Sequence, residues 1–263
     1  MPIKTFNGLN IYFEIHGEGE TIVLLHNGFS CTKMWQGIYP RLVDAGYRVL
    51  MFDRRGYGQS DPGPDFEGYY TGDEFRPDSV ATMRQLMQLL EIERFHIIGQ
   101  CEGGVVGVDY AVRHPKQVMS LTTASTFCYS TITLEEFNRQ KFPASFQELP
   151  ETIQNKYVYW HGPERAEHFY TLCSRYGGCY GRDIFDLRPD IQNVVCPTLV
   201  MYADRGHFFE VEQGVAFYRN LKTGELAVFP KCGHNIFEHY PGLYAEQAVA
   251  FIERHFARPG TAE

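Results

Sequence analysis

Short apolar segments alternate along the chain with longer segments whose apolar residues have helical spacing. Residues 21–26 form a nearly continuous apolar run, a pattern typical of a strand that is buried on both faces. Residues 32–45 instead have apolar side chains at helical spacing, and Gly46 is the expected end of that helix. The predicted strands are residues 9–15, 21–26, 47–52, 95–99, 118–123, 197–203 and 225–229, and the predicted helices are residues 32–45, 78–91 (capped by Asp78), 102–114, 211–221 and 236–256.

This alternation predicts an α/β protein with a parallel sheet that helices cover on both faces. A length of 263 residues agrees with one large domain. The alternation stops between residues 126 and 189, where the sequence is rich in aromatic residues and has a helical pattern. We therefore assign residues 1–125 and 190–263 to an α/β core and residues 126–189 to a helical cap inserted in that core.

The composition argues against several classes of protein. The chain has 24 Lys and Arg against 32 Asp and Glu, a net charge of −8, so we expect no nucleic-acid partner. No apolar run reaches the ~18 residues of a membrane helix, and the first residues lack the apolar part of a signal peptide. The seven cysteines are scattered and include no Cys-x-x-Cys pair, which argues against a disulfide framework or a zinc ribbon. We expect a cytoplasmic protein with reduced thiols and no membrane partner.

The strongest chemical signal is at residues 99–104, Gly-Gln-Cys-Glu-Gly-Gly, between a predicted buried strand and a predicted helix. A nucleophile on such a tight strand-to-helix turn needs nearly side-chain-free neighbours two positions away, and Gly99 and Gly103 meet that need. The helix N-terminus is expected to lower the pKa of the Cys101 thiol. The alternative is a glycine-rich turn that holds an inert cysteine.

A second signal is Gly233-His234, in the loop after the last predicted strand. A histidine there lies at the carboxyl edge of the sheet, where its imidazole could reach Cys101. The alternative is an ordinary surface or core histidine.

A third signal is residues 26–30, His-Asn-Gly-Phe-Ser, directly after a predicted buried strand. The backbone N–H of Gly28 could form an oxyanion hole together with the N–H of Glu102. Asn27 is either an additional donor or a residue that only stabilises the turn.

These motifs resemble the α/β-hydrolase superfamily over nearly the whole chain. The motifs that carry the resemblance are Leu-Leu-His-Asn-Gly at 24–28 with Trp35 downstream, Asp-Arg-Arg-Gly-Tyr-Gly-Gln-Ser at 53–60, the turn at 99–103, Pro-Thr-Leu-Val at 197–200 and Gly-His at 233–234. The resemblance implies an α/β-hydrolase fold with a mostly parallel eight-stranded sheet and a helical cap. It leaves the substrate open, since the superfamily includes esterases, lactonases, thioesterases, C–C bond hydrolases, dehalogenases and acyltransferases.

The sequence departs from the family pattern at the nucleophile and at the acid. Cys101 replaces the usual serine, as in dienelactone hydrolases, and a thiol needs less help than a hydroxyl to become a nucleophile. The family acid is expected at position 206, which is Gly206 here, so Asp204 is the leading candidate to support His234. Glu210 and Glu102 are the weaker candidates, and Asp204 as a solvated turn residue is an equal alternative.

The leading functional hypothesis is a hydrolase in which Cys101 attacks an ester, lactone or thioester carbonyl and His234 transfers the proton. The aromatic cap favours a small apolar substrate, with Asn27, Phe29, Phe127 and Trp160 as candidate contacts, although cap aromatics more often serve packing. The alternatives are an acyltransferase or cyclase, a non-catalytic binding or sensing protein, and cofactor-free lyase or oxygenase chemistry. No metal or organic cofactor is implied, because Gly-Tyr-Gly at residues 56–58 lacks the third glycine of a dinucleotide fingerprint.

Overall fold

The computed structural model describes residues 3–206 and 208–256, so the sequence-based assignments of residues 1–2, 207 and 257–263 lie outside the described residues. The strands are β1 (Ile3–Phe6), β2 (Leu9–His16), β3 (Thr21–Leu25), β4 (Arg48–Phe52), β5 (Phe95–Gln100), β6 (Val118–Ala124), β7 (Thr198–Ala203) and β8 (Gly224–Phe229). The helices are α1 (Tyr39–Asp44), α2 (Phe66–Thr71), α3 (Phe75–Leu89), α4 (Glu102–Arg113), α5 (Leu134–Lys141), α6 (Glu151–His161), α7 (Ala166–Cys173), α8 (Arg188–Ile191), α9 (Val211–Asn220), α10 (Ile236–His239) and α11 (Pro241–His255).

The strands form one eight-stranded sheet in the order β1-β2-β4-β3-β5-β6-β7-β8. Pairing is parallel from β4 through β8 and antiparallel at the β1–β2 and β2–β4 edges. The prediction of a mostly parallel eight-stranded sheet in an α/β fold is confirmed. Because β3, β5 and β7 are buried along their whole length, both faces of the central sheet must be covered.

Helices cover the sheet with a separate apolar core on each face. One core joins the side of the sheet that carries Val23 and Ile97 to α3, α4 and the segment between β6 and β7. The other joins the side that carries Ile22 and Ile98 to Trp35 and to α1, α10 and α11. Successive strand residues thus point into opposite cores, as the two-residue period of a strand requires.

Three predicted helices differ from the observed ones. Residues 32–45 form a 3₁₀ helix at Thr32–Gly37 followed by α1, because Pro40 has no N–H to continue a preceding helix and suits the first turn of a new one. The helix predicted from Asp78 begins earlier, at Phe75, and the Asp78 carboxylate accepts a hydrogen bond from the Tyr69 hydroxyl at 2.8 Å instead of capping it.

The predicted helix at residues 236–256 is divided into α10 and α11, because Pro241 has no N–H to continue the first helix and suits the first turn of the second. The short elements β1 and α2 were not predicted, since neither has enough residues to show a period.

The segment between β6 and β7 contains α5 to α8 and 3₁₀ turns at Phe146–Glu148 and Gly178–Tyr180. The end of α6 docks on the core, where the His161 ring lies between the backbone N–H of Gly58 (3.1 Å) and the carbonyl oxygen of Phe29 (3.0 Å). That a cap begins and ends at residues 126 and 189 stays a prediction. No helix in the described ranges is long and apolar enough to cross a bilayer.

Candidate active site

Cys101 lies on a sharp turn between β5 and α4. Its backbone angles, φ 52° and ψ −115°, fall in a region that residues with a side chain rarely adopt. Its N–H donates to the carbonyl oxygen of Ala124 at 2.8 Å, and its carbonyl oxygen accepts from the N–H of Gly104 at 2.9 Å. These bonds hold the strained turn at the carboxyl edge of the sheet. The strand–turn–helix context predicted for residues 99–104 is confirmed.

Only glycine fits the turn at two positions, each of which lies two residues from Cys101. A Cβ atom at Gly99 would lie 2.4 Å from the carbonyl oxygen of Gly103. A Cβ atom at Gly103 would lie 2.0 Å from the carbonyl oxygen of Leu25. Both contacts are with backbone atoms, so neither can be relieved by moving a side chain, and the physical reason for these two glycines is the one that the sequence predicted.

The predicted oxyanion donors are close to the sulfur. The backbone N–H groups of Glu102 and Gly28 lie near Sγ of Cys101 and oppose the rise in its pKa that burial causes. The side-chain oxygen of Asn27 accepts hydrogen bonds from the two N–H groups that follow Gly28, each at 2.9 Å. This interaction supports the interpretation of Asn27 as a turn residue, and it fixes the loop from which Gly28 donates.

His234 is anchored through its backbone. Its carbonyl oxygen accepts hydrogen bonds from Nε2 of Gln100 at 3.2 Å and from the hydroxyl of Ser125 at 2.9 Å. The imidazole meets the rings of Phe208 and Phe209 nearly edge-on, with centroid distances of 5.6 and 5.2 Å. The residue before the nucleophile and the residue after β6 therefore fix the position of the histidine.

The imidazole of His234 is not bonded to the groups predicted to flank it. Its Nδ1 atom is buried and has no hydrogen-bond partner among the residues that the structure describes. The Cys101 sulfur is in hydrogen-bond contact with the hydroxyl of Tyr180, at 3.4 Å. Among the described residues it has no such contact with the imidazole of His234. Cys101 and His234 nevertheless line one cavity, so the predicted pair shares a site without a direct bond.

The structure does not bring Asp204 to His234, contrary to the expectation that it supports the imidazole. Its Oδ1 atom accepts a hydrogen bond from the backbone N–H of Cys232 at 3.4 Å, and its Oδ2 atom lies 3.5 Å from Nε of Arg205. Because these contacts turn the carboxylate toward the backbone of the next loop, Asp204 has the position of a turn residue.

The position expected for a family acid has no room for one. A Cβ atom at Gly206 would lie 2.2 Å from the carbonyl oxygen of Phe209, so the local backbone excludes a carboxylate side chain there. The weaker candidate Glu210 is exposed at the start of α9 and does not line the cavity.

Glu102, the residue after the nucleophile, forms a buried ion pair. Its Oε2 atom lies 3.2 Å from Nη2 of Arg54 and accepts a hydrogen bond from the Tyr57 hydroxyl at 3.3 Å. Arg54 also donates to the carbonyl oxygen of Asn27 at 2.9 Å. Burial raises the pKa of Glu102, and the Arg54 guanidinium opposes that shift. The pair connects the oxyanion loop to the first residue of α4.

The nucleophile opens into a mostly apolar cavity of about 370 Å³. Three of the four predicted substrate contacts, Asn27, Phe29 and Trp160, line this cavity, as do aromatic and aliphatic side chains of α5, α6 and α7. The prediction for Phe127 is wrong, because its ring stacks behind the wall on Phe209, with a centroid distance of 4.3 Å. The aromatic residues of this segment thus serve both packing and the cavity wall.

The protonation states differ from the sequence-based expectation. The helix N-terminus was expected to lower the pKa of Cys101, but burial raises it to about 12, although the Tyr180 hydroxyl and the two backbone N–H groups oppose the shift. Burial lowers the pKa of His234 to about 4. At neutral pH the site therefore holds a neutral thiol and a neutral imidazole, not a thiolate–imidazolium pair.

Sequence reasoning missed Arg54 and Tyr180. Arg54 belongs to the 53–60 motif, which carried the family resemblance but was assigned no role in the site. Nothing in the sequence around Arg54 indicates that its partner is Glu102. Tyr180 ends the short 3₁₀ turn Gly178–Tyr180, which is too short to show a sequence period that would relate it to Cys101.

The described residues contain no cluster of metal-ligating side chains. No group of three or more His, Cys, Asp or Glu side chains within residues 3–206 and 208–256 is arranged to hold a metal ion. All seven cysteines are unpaired and buried.

Comparisons with known proteins agree with this architecture. A family model described as alpha/beta hydrolase fold matches residues 20–175. The chain is 23% identical over 259 residues to 2-hydroxy-6-oxononadienedioate/2-hydroxy-6-oxononatrienedioate hydrolase of Comamonas testosteroni, covering 88% of this chain and 87% of that protein.

Two solved structures share the fold over nearly the whole chain. The meta-cleavage product hydrolase CumD from Pseudomonas fluorescens IP01 is 19% identical with a TM-score of 0.72, covering 95% of this chain and 96% of that one. The enol-lactonase from Burkholderia xenovorans LB400 is 18% identical with a TM-score of 0.72, covering 95% of this chain and 99% of that one. At these identities the likeness concerns the fold.

Proposed function

Because the chain belongs to the alpha/beta hydrolase family and is a hydrolase, we propose that it cleaves an ester, lactone or thioester bond of a small apolar substrate with Cys101 as the nucleophile. The observation that carries this proposal is the thiol on its strained turn, with the backbone N–H groups of Gly28 and Glu102 near the sulfur and an apolar cavity in front of it. A carbonyl carbon held at the sulfur would have its oxygen beside the same two donors.

In the first half of the proposed reaction, the sulfur of Cys101 attacks the carbonyl carbon as its proton passes to His234. A neutral imidazole is the protonation state that can accept this proton. The N–H groups of Gly28 and Glu102 stabilise the negative charge on the carbonyl oxygen. When the intermediate collapses, the protonated imidazole returns the proton to the leaving alcohol or thiol, and the acyl group stays on the sulfur as a thioester.

In the second half, His234 accepts a proton from a water molecule that attacks the thioester carbonyl. The same two N–H groups stabilise the second oxyanion, and the bond from carbon to Cys101 breaks. The sulfur recovers a proton from His234, so one water is consumed and the acid is released. A thioester is more reactive toward nucleophiles than an oxyester, so this intermediate also suits transfer to an alcohol or amine.

The lining of the cavity supports a substrate with an uncharged, apolar acyl or leaving group. The acidic group nearest the nucleophile, Glu102, lines the cavity but is neutralised by its ion pair with Arg54. The lysines of the lining are occupied elsewhere: Lys156 pairs with Glu238 at 2.9 Å, and Lys141 lies over the ring of Phe137 at 5.8 Å. Aromatic and aliphatic side chains therefore supply most of the recognition surface.

The decisive experiment is a screen of p-nitrophenyl esters and acyl thioesters of increasing chain length, combined with intact-mass analysis. We expect turnover by the wild-type protein and a covalent acyl adduct on Cys101 during turnover. The Cys101→Ala variant should lose both activity and adduct, and Cys101→Ser should lose most activity, because a hydroxyl depends more strongly on a supported base.

Cys196→Ala is the matched control, since Cys196 is another buried cysteine and does not line the cavity. It should keep wild-type rates. Wild-type turnover by the Cys101→Ala variant would rule out the nucleophilic role. Product analysis with an added alcohol or amine distinguishes hydrolysis from acyl transfer.

The Nδ1 atom of His234, which has no hydrogen-bond partner within residues 3–206 and 208–256, favours one other candidate function, a binding or sensing protein that has kept the cavity without catalysis. Without a carboxylate at Nδ1, the imidazolium that forms during attack has less stabilisation. Under this alternative, the wild-type protein binds apolar esters as stable ligands and does not turn them over. The Cys101→Ala variant binds the same esters with unchanged affinity and also shows no turnover.

A further inference from the structure

Tyr180 lies on a tight, glycine-framed loop that faces the nucleophile. Gly177 and Gly181 exchange two backbone hydrogen bonds, of 2.9 and 3.2 Å, so the loop between them is closed at its base. Both glycines and Gly178 have positive φ angles, of 120°, 68° and 60°, which other residues rarely adopt. The loop is therefore a rigid turn, and it holds Tyr180 in a defined place.

The loop rests on the carboxylate of Glu102. The backbone N–H of Cys179 donates to Oε1 of Glu102 at 3.4 Å, and a Cβ atom at Gly178 would lie 2.3 Å from the same oxygen. The carboxylate is itself held by Arg54 and Tyr57. The residue that follows the nucleophile thus fixes the loop that carries Tyr180 relative to the sulfur.

The ring and the hydroxyl of Tyr180 have different surroundings. The ring is packed nearly edge-on against Phe127, Phe185 and Phe209, with centroid distances of 5.9, 5.0 and 6.0 Å. The hydroxyl oxygen lies 3.4 Å from Sγ of Cys101. Burial raises the pKa of Tyr180, so the phenol remains protonated and keeps its O–H as a donor. Packing accounts for the ring but not for a hydroxyl directed at the sulfur.

We propose that Tyr180 is a catalytic residue, whose O–H donates a hydrogen bond to Sγ of Cys101 whenever that sulfur carries negative charge. This occurs when the thiol gives its proton to His234, and again when the sulfur leaves the acyl carbonyl. The phenol keeps its proton throughout, so the proton balance of the reaction is unchanged. Glu102 acts as a positioning residue through the loop. The catalytic part rests on the proposed function, whereas the hydrogen bond to a thiolate does not.

The Tyr180→Phe variant tests the hydrogen bond without a substrate. It keeps the ring and removes the donor, so we expect the pKa of Cys101 to rise by roughly one to two units. A higher pKa leaves less thiolate but makes each thiolate more nucleophilic, so alkylation by iodoacetamide at about pH 9 should slow by roughly three- to tenfold. Peptide mass analysis at several times reports the rate at Cys101 alone.

The direction of the change separates the proposal from simple shielding. If Tyr180 only blocked access to the sulfur, Tyr180→Phe would be alkylated as fast as wild type or faster, and either result would overturn the proposal. Tyr110→Phe is the matched control, because Tyr110 lies on α4 and donates to Gln117 away from the cavity. It should be alkylated at the wild-type rate.

A second variant moves the loop and keeps the hydroxyl. In Gly178→Ala, the new methyl group would collide with Glu102 and displace Tyr180, so alkylation of Cys101 should slow in the same direction. An unchanged rate would show that the loop does not position the hydroxyl and would overturn the role of Glu102.

Steady-state kinetics test the catalytic part with any ester that the wild type hydrolyses. We expect Tyr180→Phe to lower kcat at least tenfold with KM within about twofold, because the hydrogen bond is stronger to a charged sulfur than to the neutral thiol. An unchanged kcat with slowed alkylation would refute the catalytic role alone. If no ester is turned over by the wild type, the proposed function fails, while the alkylation series still decides whether Tyr180 stabilises the thiolate.

Discussion

At the scale of single residues, burial decides the protonation of the candidate catalytic pair. Cys101 has an exposed fraction of 7%, and burial raises its pKa to about 12. Burial alone lowers the pKa of His234 to about 4, since no carboxylate contacts its ring among the described residues. A neutral pair of this kind can react only if the base accepts the thiol proton during attack, so the neutral imidazole is the active form.

The pH dependence of kcat/KM follows from these two pKa values. Acidification inactivates the protein only when His234 becomes protonated, so we expect kcat/KM for a neutral ester to stay level from about pH 9 to about pH 5 and to fall near pH 4. An exposed histidine would give the fall near pH 6.5. The measurement is a pH–rate profile, with circular dichroism at each pH to verify that the protein remains folded.

A fall centred near pH 6.5 would contradict this account. It would mean that a carboxylate or solvent reaches His234 in the working enzyme and restores its ordinary pKa. His239→Gln is a suitable control, because His239 is an exposed histidine close in sequence that does not line the cavity. Its profile should match that of the wild type.

At the scale of elements, the contact between α6 and the core depends on one histidine. Nδ1 of His161 accepts from the N–H of Gly58, so its Nε2 carries the proton that it donates to the carbonyl oxygen of Phe29. Burial lowers the pKa of His161 to about 4, and Arg165 and Lys33 add to that shift. A second proton on Nδ1 would face an N–H donor and break the contact.

The stability of the protein should therefore fall as the pH falls. His161 becomes protonated near pH 6.5 in the unfolded chain but only near pH 4 in the folded chain. Acidification between these pH values therefore favours unfolding. Between about pH 7.5 and pH 5 we expect this residue to remove about 2 kcal/mol from the free energy of unfolding. Urea unfolding of wild type and His161→Gln at both pH values measures it.

The variant should be less stable than wild type at the higher pH, because glutamine cannot keep both bonds at the same geometry. It should lose about 2 kcal/mol less on acidification, since the other buried histidines contribute equally to both proteins. An equal loss in the two proteins would show that His161 does not couple the cap segment to protonation.

The sequence predicted the elements whose signals are local. Strands β3 and β5 and the turn at Cys101 were predicted because the apolar run of a buried strand and the glycines beside it can be recognised within a few residues. The break before α11 was missed, although Pro241 was present, because the apolar pattern continues across it.

The site itself was only partly predictable. Cys101, His234 and the oxyanion donors follow from motifs that have fixed places relative to the strands. Asp204 also has such a place, but a hydrogen bond from the Cys232 backbone turns it away. Tyr180 reaches the sulfur only because a distant loop docks on Glu102, and no pattern in the sequence records that contact.

At the scale of the whole molecule, net charge affects how fast a substrate approaches, whereas the cavity lining determines which substrate binds. The chain as a whole has a net charge of −8, whereas the lining of the cavity is mostly apolar. A neutral substrate meets no long-range field, whereas an anionic one is repelled during approach. Salt shortens the range of that repulsion, since the Debye length falls to about 10 Å at 0.1 M.

The effect of ionic strength on kcat/KM should therefore depend on the charge of the substrate. Raising salt from about 20 mM to about 300 mM should leave kcat/KM for a neutral ester nearly unchanged and raise it about two- to threefold for an ester of equal size that carries a carboxylate. The comparison uses two esters with the same acyl carbon and leaving group. If salt instead lowers kcat/KM for the anionic ester, the lining residues Lys141 and Lys156 outweigh the net charge and attract anions to the cavity. A carboxylate-bearing substrate would then fit this site better than a neutral one, and the lysines, not the aromatic wall, would determine its specificity.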